Sequence, residues 1–161
     1  MTTLTYRQAN DSDIAAMADI RAGDWGTTEF WQERIAGYLA RQSHPRCAKP
    51  ERSAFVCLQR TVVVGLIAGH LTTRFGCEGE LQWISVRPAY RGRGVASGLF
   101  RCLAGWFVAQ RASKICVDVE PGNSIARAFY RSVGARDFRP HWMLWDDVAE
   151  ALAKPADAPR S

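Results

Sequence analysis

Tyr90-Arg91-Gly92-Arg93-Gly94-Val95-Ala96 stands between two segments of different periodicity. Before it, Glu80 to Val86 reads as a strand, closed by Pro88. After it, Val95, Leu99, Cys102, Leu103, Trp106 and Phe107 recur at spacings of three and four, which predicts a helix with one apolar face running to about Gln110. A strand, a glycine-rich turn and a helix in this order aim backbone N–H groups and the positive end of a helix dipole at one point. That point is an anion site, most often a phosphate site. Gly92 and Gly94 lack a Cβ, so a bulky pyrophosphate can approach the chain closely. Arg91 and Arg93 add charge-assisted donors.

Three kinds of phosphate loop compete for this stretch. A P-loop ends in Gly-Lys-Ser/Thr, which is missing here. A dinucleotide fingerprint needs G-x-G-x-x-G after the first strand; here Gly92, Gly94 and Gly98 are spaced one residue too long and lie mid-chain. The third pattern, Arg/Gln-x-x-Gly-x-Gly/Ala, is matched by Arg91, Gly94 and Ala96.

Length and composition narrow the classes. A chain of 161 residues, 47% hydrophobic and 23% charged, is expected to form one domain with a proper core. No apolar run approaches membrane-span length, and Met1–Thr5 has no signal design, so a membrane role is not expected. The five cysteines are odd in number and scattered, with no C-x-x-C, which fits a reduced cytoplasmic protein better than a disulfide scaffold or zinc site. The net charge of +5 favours anionic ligands. Basic residues are dispersed apart from Arg87, Arg91 and Arg93, so nucleic acid ranks behind a nucleotide-type cofactor.

In chain order, Leu4–Gln8 reads as a strand, and Asn10, Asp11 and Ser12 as a helix start. A helix then carries Ile14, Met17, Ala18 and Arg21 on one face and is interrupted by Gly23 and Gly26. A second, from near Thr28, carries Trp31, Ile35, Tyr38 and Leu39. Arg41–Arg52, with Pro45 and Pro50, reads as a loop. Ser53–Leu58 and Val62–Thr73 read as a hairpin turning near Arg60–Thr61. Lys114–Val119 is a strand, parallel to Glu80–Val86 because a helix joins them. Asn123 or Ser124 caps a short helix that stops at Gly134. Ala135–Phe138 and His141–Trp145 close the sheet. Residues 1–148 are expected to make one domain and 149–161 a tail with a short helical remnant.

Two segments in this order, "ELQWISVRPAYRGRGVASGLF" and "VEPGNSIARAFYRSVGARDF", resemble the GNAT superfamily of N-acetyltransferases, over roughly Val62 to Phe138. The resemblance implies a mixed, mostly antiparallel α+β sheet, splayed in the middle and flanked by helices. It implies acetyl-CoA as co-substrate, with the pantetheine arm along Ile84, Ser85 and Val86. The pyrophosphate then sits on Arg91, Gly92, Arg93, Gly94, Val95 and Ala96, with Asn123 and Tyr130 completing the cofactor site. No metal is needed. The reaction implied is direct attack of an amine on a thioester, in which the amine must lose a proton and the leaving thiolate gains from one. Tyr130 matches the family's usual acid. Glu80 is the expected base, since two-residue alternation puts it on one face with Gln82, Ile84 and Val86; Asp118 is its rival, with Glu120 and His70 behind. Trp25, Trp31, Tyr38 and Trp83 are expected to wall an acceptor pocket, with Asp24, Glu29 or Glu33 attracting a cationic amine. The acceptor is a small-molecule or peptide amine, and a homodimer stays open. The competing functions are an acyl-CoA-sensing module without turnover and a basic nucleic-acid-binding domain.

Overall fold

Branched and aromatic residues in alternation build seven strands. They are β1 (Leu4–Gln8), β2 (Ala48–Gln59), β3 (Val62–Thr72), β4 (Gly79–Val86), β5 (Ile115–Asp118), β6 (Arg136–Arg139) and β7 (Trp142–Trp145). They form one sheet in the order β1-β2-β3-β4-β5-β7-β6. The structure, a computed structural model, describes residues 3–153. Among the described residues, five α-helices flank the sheet: α1 (Ile14–Asp24), α2 (Thr28–Leu39), α3 (Val95–Ala109), α4 (Ser124–Ser132) and α5 (Val148–Ala153). Every pair of neighbouring strands is antiparallel except β4 with β5. That exception follows from the α3 crossover joining them. The mixed, mostly antiparallel sheet matches the architecture expected from the sequence. Among the described residues, no helix is long and apolar enough to cross a membrane.

Each face of the sheet has its own core. Leu99, Leu103 and Phe107 of α3 pack on Ile67, Leu81, Ile115 and Val117. Met17 of α1 and Trp31, Ile35 and Tyr38 of α2 pack on Val56, Leu66, Ala68 and Trp83. Local expectations need adjusting. The α3 stripe turns toward Phe100 and Ala104, which are buried, while Cys102 and Trp106 are only half-buried. Helix α1 runs through Gly23 and ends at Asp24. Strand β2 starts at Ala48, inside the stretch read as a loop. Pro50 is tolerated because the β2–β3 register is irregular between Ala48 and Arg52, where no N–H is required. The tail reading begins inside α5; residues 154–161 lie outside the described ones.

One irregularity governs the site. Ala68 pairs with Trp83 and Gly69 with Leu81, so Gln82 has no partner on β3. A bulge resets the alternation of a strand. Leu81, Ile84 and Val86 therefore face the α3 core, and Trp83 faces the α1–α2 core. Glu80 shares the face of Trp83 and of its own partner, His70. The expectation that Glu80 lies on one face with Ile84 and Val86 is corrected: the bulge puts them on opposite sides of the sheet.

Candidate active site

Strands β4 and β5 pair only at Gly79–Ile115, Glu80–Cys116 and Leu81–Val117. Beyond Leu81, β4 runs on to Val86 with no neighbour on that side. The Arg87 N–H donates to the Val64 carbonyl at 2.9 Å. Counting back by alternation, the N–H and C=O groups of Ile84 and Val86 point into the gap.

At the end of β4 a short turn, Pro88–Tyr90, leads into the glycine loop. Gly92 has φ +75° and Gly94 has φ +82°, so both positions need a residue at ease in the left-handed region. A Cβ at either would meet nothing within 4 Å; the space beside them is open. Helix α3 begins at Val95, and its unpaired first-turn N–H groups face that space. From α4, Asn123 caps the helix by accepting from the Ala126 N–H at 3.1 Å.

A cavity of about 540 Å³ runs through this region. Ile84, Ser85 and Val86 line one wall, Tyr90–Gly92 and Gly94–Ser97 another, and Asn123, Ile125, Ala126, Phe129 and Tyr130 a third, with Asp24 at its edge. Arg93 stands outside; its guanidinium stacks over the Tyr90 ring at 5.2 Å. Phe129, Ile125 and Tyr90 were not named as site residues from the sequence, although the Phe-Tyr pair and the loop already carried the signal. Asp24 reaches the slot because α1 ends there. Its Oδ2 accepts from Ser85 Oγ at 2.8 Å, and Ser85 Oγ accepts from Arg21 at 2.9 Å. Arg91 donates from Nε to the Val86 carbonyl at 3.2 Å and holds Asp24 at 3.6 Å.

The Tyr130 ring packs edge-on against Trp145 at 5.9 Å. Burial pushes its hydroxyl up to about 12, opposed by Arg21 and assisted by Asp118. The phenol is therefore protonated at neutral pH. Glu80 is buried and does not line the cavity. Its Oε1 accepts from Arg74 Nε at 2.9 Å and lies 4.0 Å from Cys116 Sγ. Burial raises the Glu80 carboxyl; Arg74 opposes that and nearby Asp118 adds to it. Asp118, exposed at the open end of β5, makes no hydrogen bond or ion pair among the described residues. Its charge acts on both Glu80 and Tyr130, raising each.

The tryptophans separate. Trp31 and Trp83 are 1% and 6% exposed and pack edge-on at 5.6 Å inside the α1–α2 core. They wall no part of the cavity: Trp31 is on the buried face of α2, and Trp83 packs beneath it. Trp25 is 57% exposed beside Asp24, and its carbonyl is pinned by the Trp31 indole N–H at 2.7 Å.

The donor set of the loop suits a diphosphate: backbone amides, a helix N-terminus and open space where a Cβ would stand. A family model described as the acetyltransferase (GNAT) family matches residues 14–135. No curated protein matches the chain. Several solved structures share its fold. PaiA N-acetyltransferase from Thermoplasma acidophilum, in complex with coenzyme A, has a TM-score of 0.66 at 14% identity, over 90% of this chain and 99% of that one. Aminoglycoside N-acetyltransferase AAC(6′)-Iy in complex with CoA has a TM-score of 0.72 at 18% identity, over 86% and 91%. The NatC complex bound to Gag peptide and CoA has a TM-score of 0.65 at 14% identity, over 88% and 94%.

Proposed function

The chain belongs to the acetyltransferase (GNAT) family, and from that premise we propose that it moves an acetyl group from acetyl-CoA to a primary amine by direct attack in a ternary complex. The observation that carries this is the gap beyond Leu81, where β4 loses β5 as a neighbour and ends in a glycine loop. Acetyl-CoA supplies the activated thioester. The amides of residues 92–96 and the N-terminus of α3 hold the diphosphate, and the gap-facing backbone of Ile84 and Val86 pairs with the pantetheine arm. An amide near Ile84 supports the oxyanion as it develops. Tyr130 gives its proton to the departing sulfur as the new C–N bond replaces the C–S bond. Glu80 takes the proton from the attacking ammonium, through water. In support, its carboxyl is raised by burial and is anchored by Arg74 through one oxygen only.

The bulge at Gln82 gives this reading its geometry. The cavity runs from Ile84 and Val86 on the α3 side to Ser85 and Asp24 on the α1 side, and Glu80 lies outside it on the α1–α2 side; on this reading the thioester sits in the cavity and the amine comes to the gap from the α1–α2 side. We assign the acceptor to the α1–α2 side, beside exposed Trp25. One fold neighbour is named for aminoglycosides and another is bound to a peptide; a small-molecule or peptide amine is the class proposed here.

The test is thiol release from acetyl-CoA across a panel of amines, with the acetylated product identified by mass. Turnover with at least one amine is expected. Tight acetyl-CoA binding with no thiol released from any amine would make the protein an acyl-CoA-binding module. With an active amine, Glu80→Gln should slow turnover near pH 7 and recover toward pH 10, as free amine becomes abundant. A flattened profile in Asp118→Asn, with Glu80→Gln unchanged, would move the proton acceptor to Asp118.

A further inference from the structure

His70 lies on β3 with none of its surface exposed, and the reaction above does not use it. Its Nδ1 is 2.9 Å from Tyr38 Oη. Its Nε2 is buried without a hydrogen-bond partner and stands 4.0 Å from Glu80 Oε1. Tyr38 is itself 2% exposed, and its hydroxyl bonds only to His70 among the described residues.

Counting protons decides the tautomer. With the proton on Nδ1, the imidazole donates to Tyr38, and the Tyr38 O–H is left buried with no acceptor. With the proton on Nε2, Tyr38 donates to Nδ1, and the one remaining donor is the Nε2–H that faces a carboxylate. Buried donors are rarely left without an acceptor, so the second arrangement is favoured. The imidazole is neutral, since burial lowers its pKa to about 3, with Arg52 and Arg74 acting in the same direction.

We propose that His70 is a positioning residue for Glu80: Tyr38 holds the imidazole as the Nε2–H tautomer, Nε2–H and Arg74 together fix Oε1, and Oε2 is left as the oxygen that takes the proton from the amine. The proposal rests on Glu80 being the proton acceptor. A gap of 4.0 Å is beyond hydrogen-bond reach. A closure of about 1 Å by the Glu80 side chain brings the pair into range. Among the described residues Oε2 has no hydrogen bond. The groups facing this carboxylate come from every packed element. They are Tyr38 on α2, His70 on β3 with Arg52 of β2 behind it, Arg74 in the turn after β3, and Cys116 and Asp118 on β5; the Cys77 thiol, just ahead of β4, also feels its charge.

Two measurements test this. Nitrogen-15 spectra of labelled wild-type protein should show His70 neutral and protonated on Nε2 from pH 8 to 5, and Tyr38→Phe should release it to a tautomer mixture. Protonation on Nδ1, or titration near pH 6.5, would overturn the proposal. In kinetics, His70→Leu should move the acid limb of kcat/KM for the amine up by about one pH unit, because the carboxylate loses a donor. Acetyl-CoA affinity should stay the same, and His70→Gln, which keeps an N–H at similar reach, should restore the limb. A normal limb in His70→Leu beside an altered one in Glu80→Gln removes the positioning role and leaves Glu80 as acceptor. A normal limb in Glu80→Gln removes both. If His70→Leu does not fold, the spectra decide.

Discussion

The slot along Ile84–Val86 and the Glu80 cluster lie toward opposite ends of one bulged strand and are built from different materials. The slot is made largely of backbone: gap-facing groups at Ile84 and Val86, glycines at φ +75° and +82°, and a helix N-terminus. The cluster is made of side chains: Tyr38, His70, Arg74 and Glu80, drawn from α2, β3, a turn and β4. Backbone sites depend on local conformation and tolerate loss of a single charge. Side-chain clusters depend on register across the sheet, and each member's protonation is set by the others.

Tyr130 lines the slot but works through its side chain, and the largest effect is expected there. Tyr130→Phe keeps the ring against Trp145 and deletes only the proton. General acid assistance is worth ~10²–10⁴-fold, so turnover should fall within that range while calorimetry shows unchanged acetyl-CoA affinity. Turnover within about twofold of wild type, with chemistry rate-limiting, would make Tyr130 a packing residue.

Gly94→Val attacks the backbone region alone. A β-branched residue at φ +82° is strained, and its side chain would enter the open space beside the loop. Strain of ~1–3 kcal/mol together with the lost approach should weaken acetyl-CoA binding by ~10²-fold. Near-normal affinity would remove the diphosphate from this loop.

The same contrast explains what could be read before the fold was seen. The glycine turn, the α3 helix and the Asn123 cap are written in consecutive residues and form where expected, although the buried face of α3 is turned toward Phe100 and Ala104. The face of Glu80 was not legible, because the bulge sits at Gln82, a residue with no turn chemistry, and arises from pairing with a strand over ten residues away. Trp31 and Trp83 were misplaced for a related reason. An aromatic stripe looks the same whether it lines a pocket or packs under a helix; only the position of α2 distinguishes them. The start of β2 was hidden by Pro50, which a register irregularity accommodates.

The next effect is on stability and belongs to the side-chain cluster. The folded pKa of His70, about 3, lies below its ordinary 6.5. Between those values the unfolded chain carries a proton that the native protein does not. Stability is therefore unaffected by this group above pH 6.5 and is lost as pH falls through that window, by up to about 1.4 kcal/mol per unit. Glu80, with a raised carboxyl, acts with the opposite sign: its contribution is lost as pH rises above 4.5 toward its folded value. Urea midpoints from pH 7 to 4 should fall less steeply in His70→Gln than in wild type, whatever offset the variant shows at pH 7. Equal slopes would mean that His70 is protonated in the folded protein.

The smallest effect is predicted at Arg93. It sits between Gly92 and Gly94, so charge alone would make it a principal phosphate ligand. Its guanidinium instead stacks over Tyr90 outside the cavity, and the Tyr90 hydroxyl bonds the Gln59 side chain. An exposed cation–π contact is worth ~0.5–1 kcal/mol, so Arg93→Ala should weaken acetyl-CoA binding only ~2–5-fold, mostly by loosening the turn. Raising the salt concentration should narrow even that difference, since an exposed charge is readily screened. A loss above about tenfold that collapses in high salt would show the Arg93 charge reaching the diphosphate directly. The slot would then depend on side-chain charge as the Glu80 cluster does, and the division between the two regions would fail at this residue.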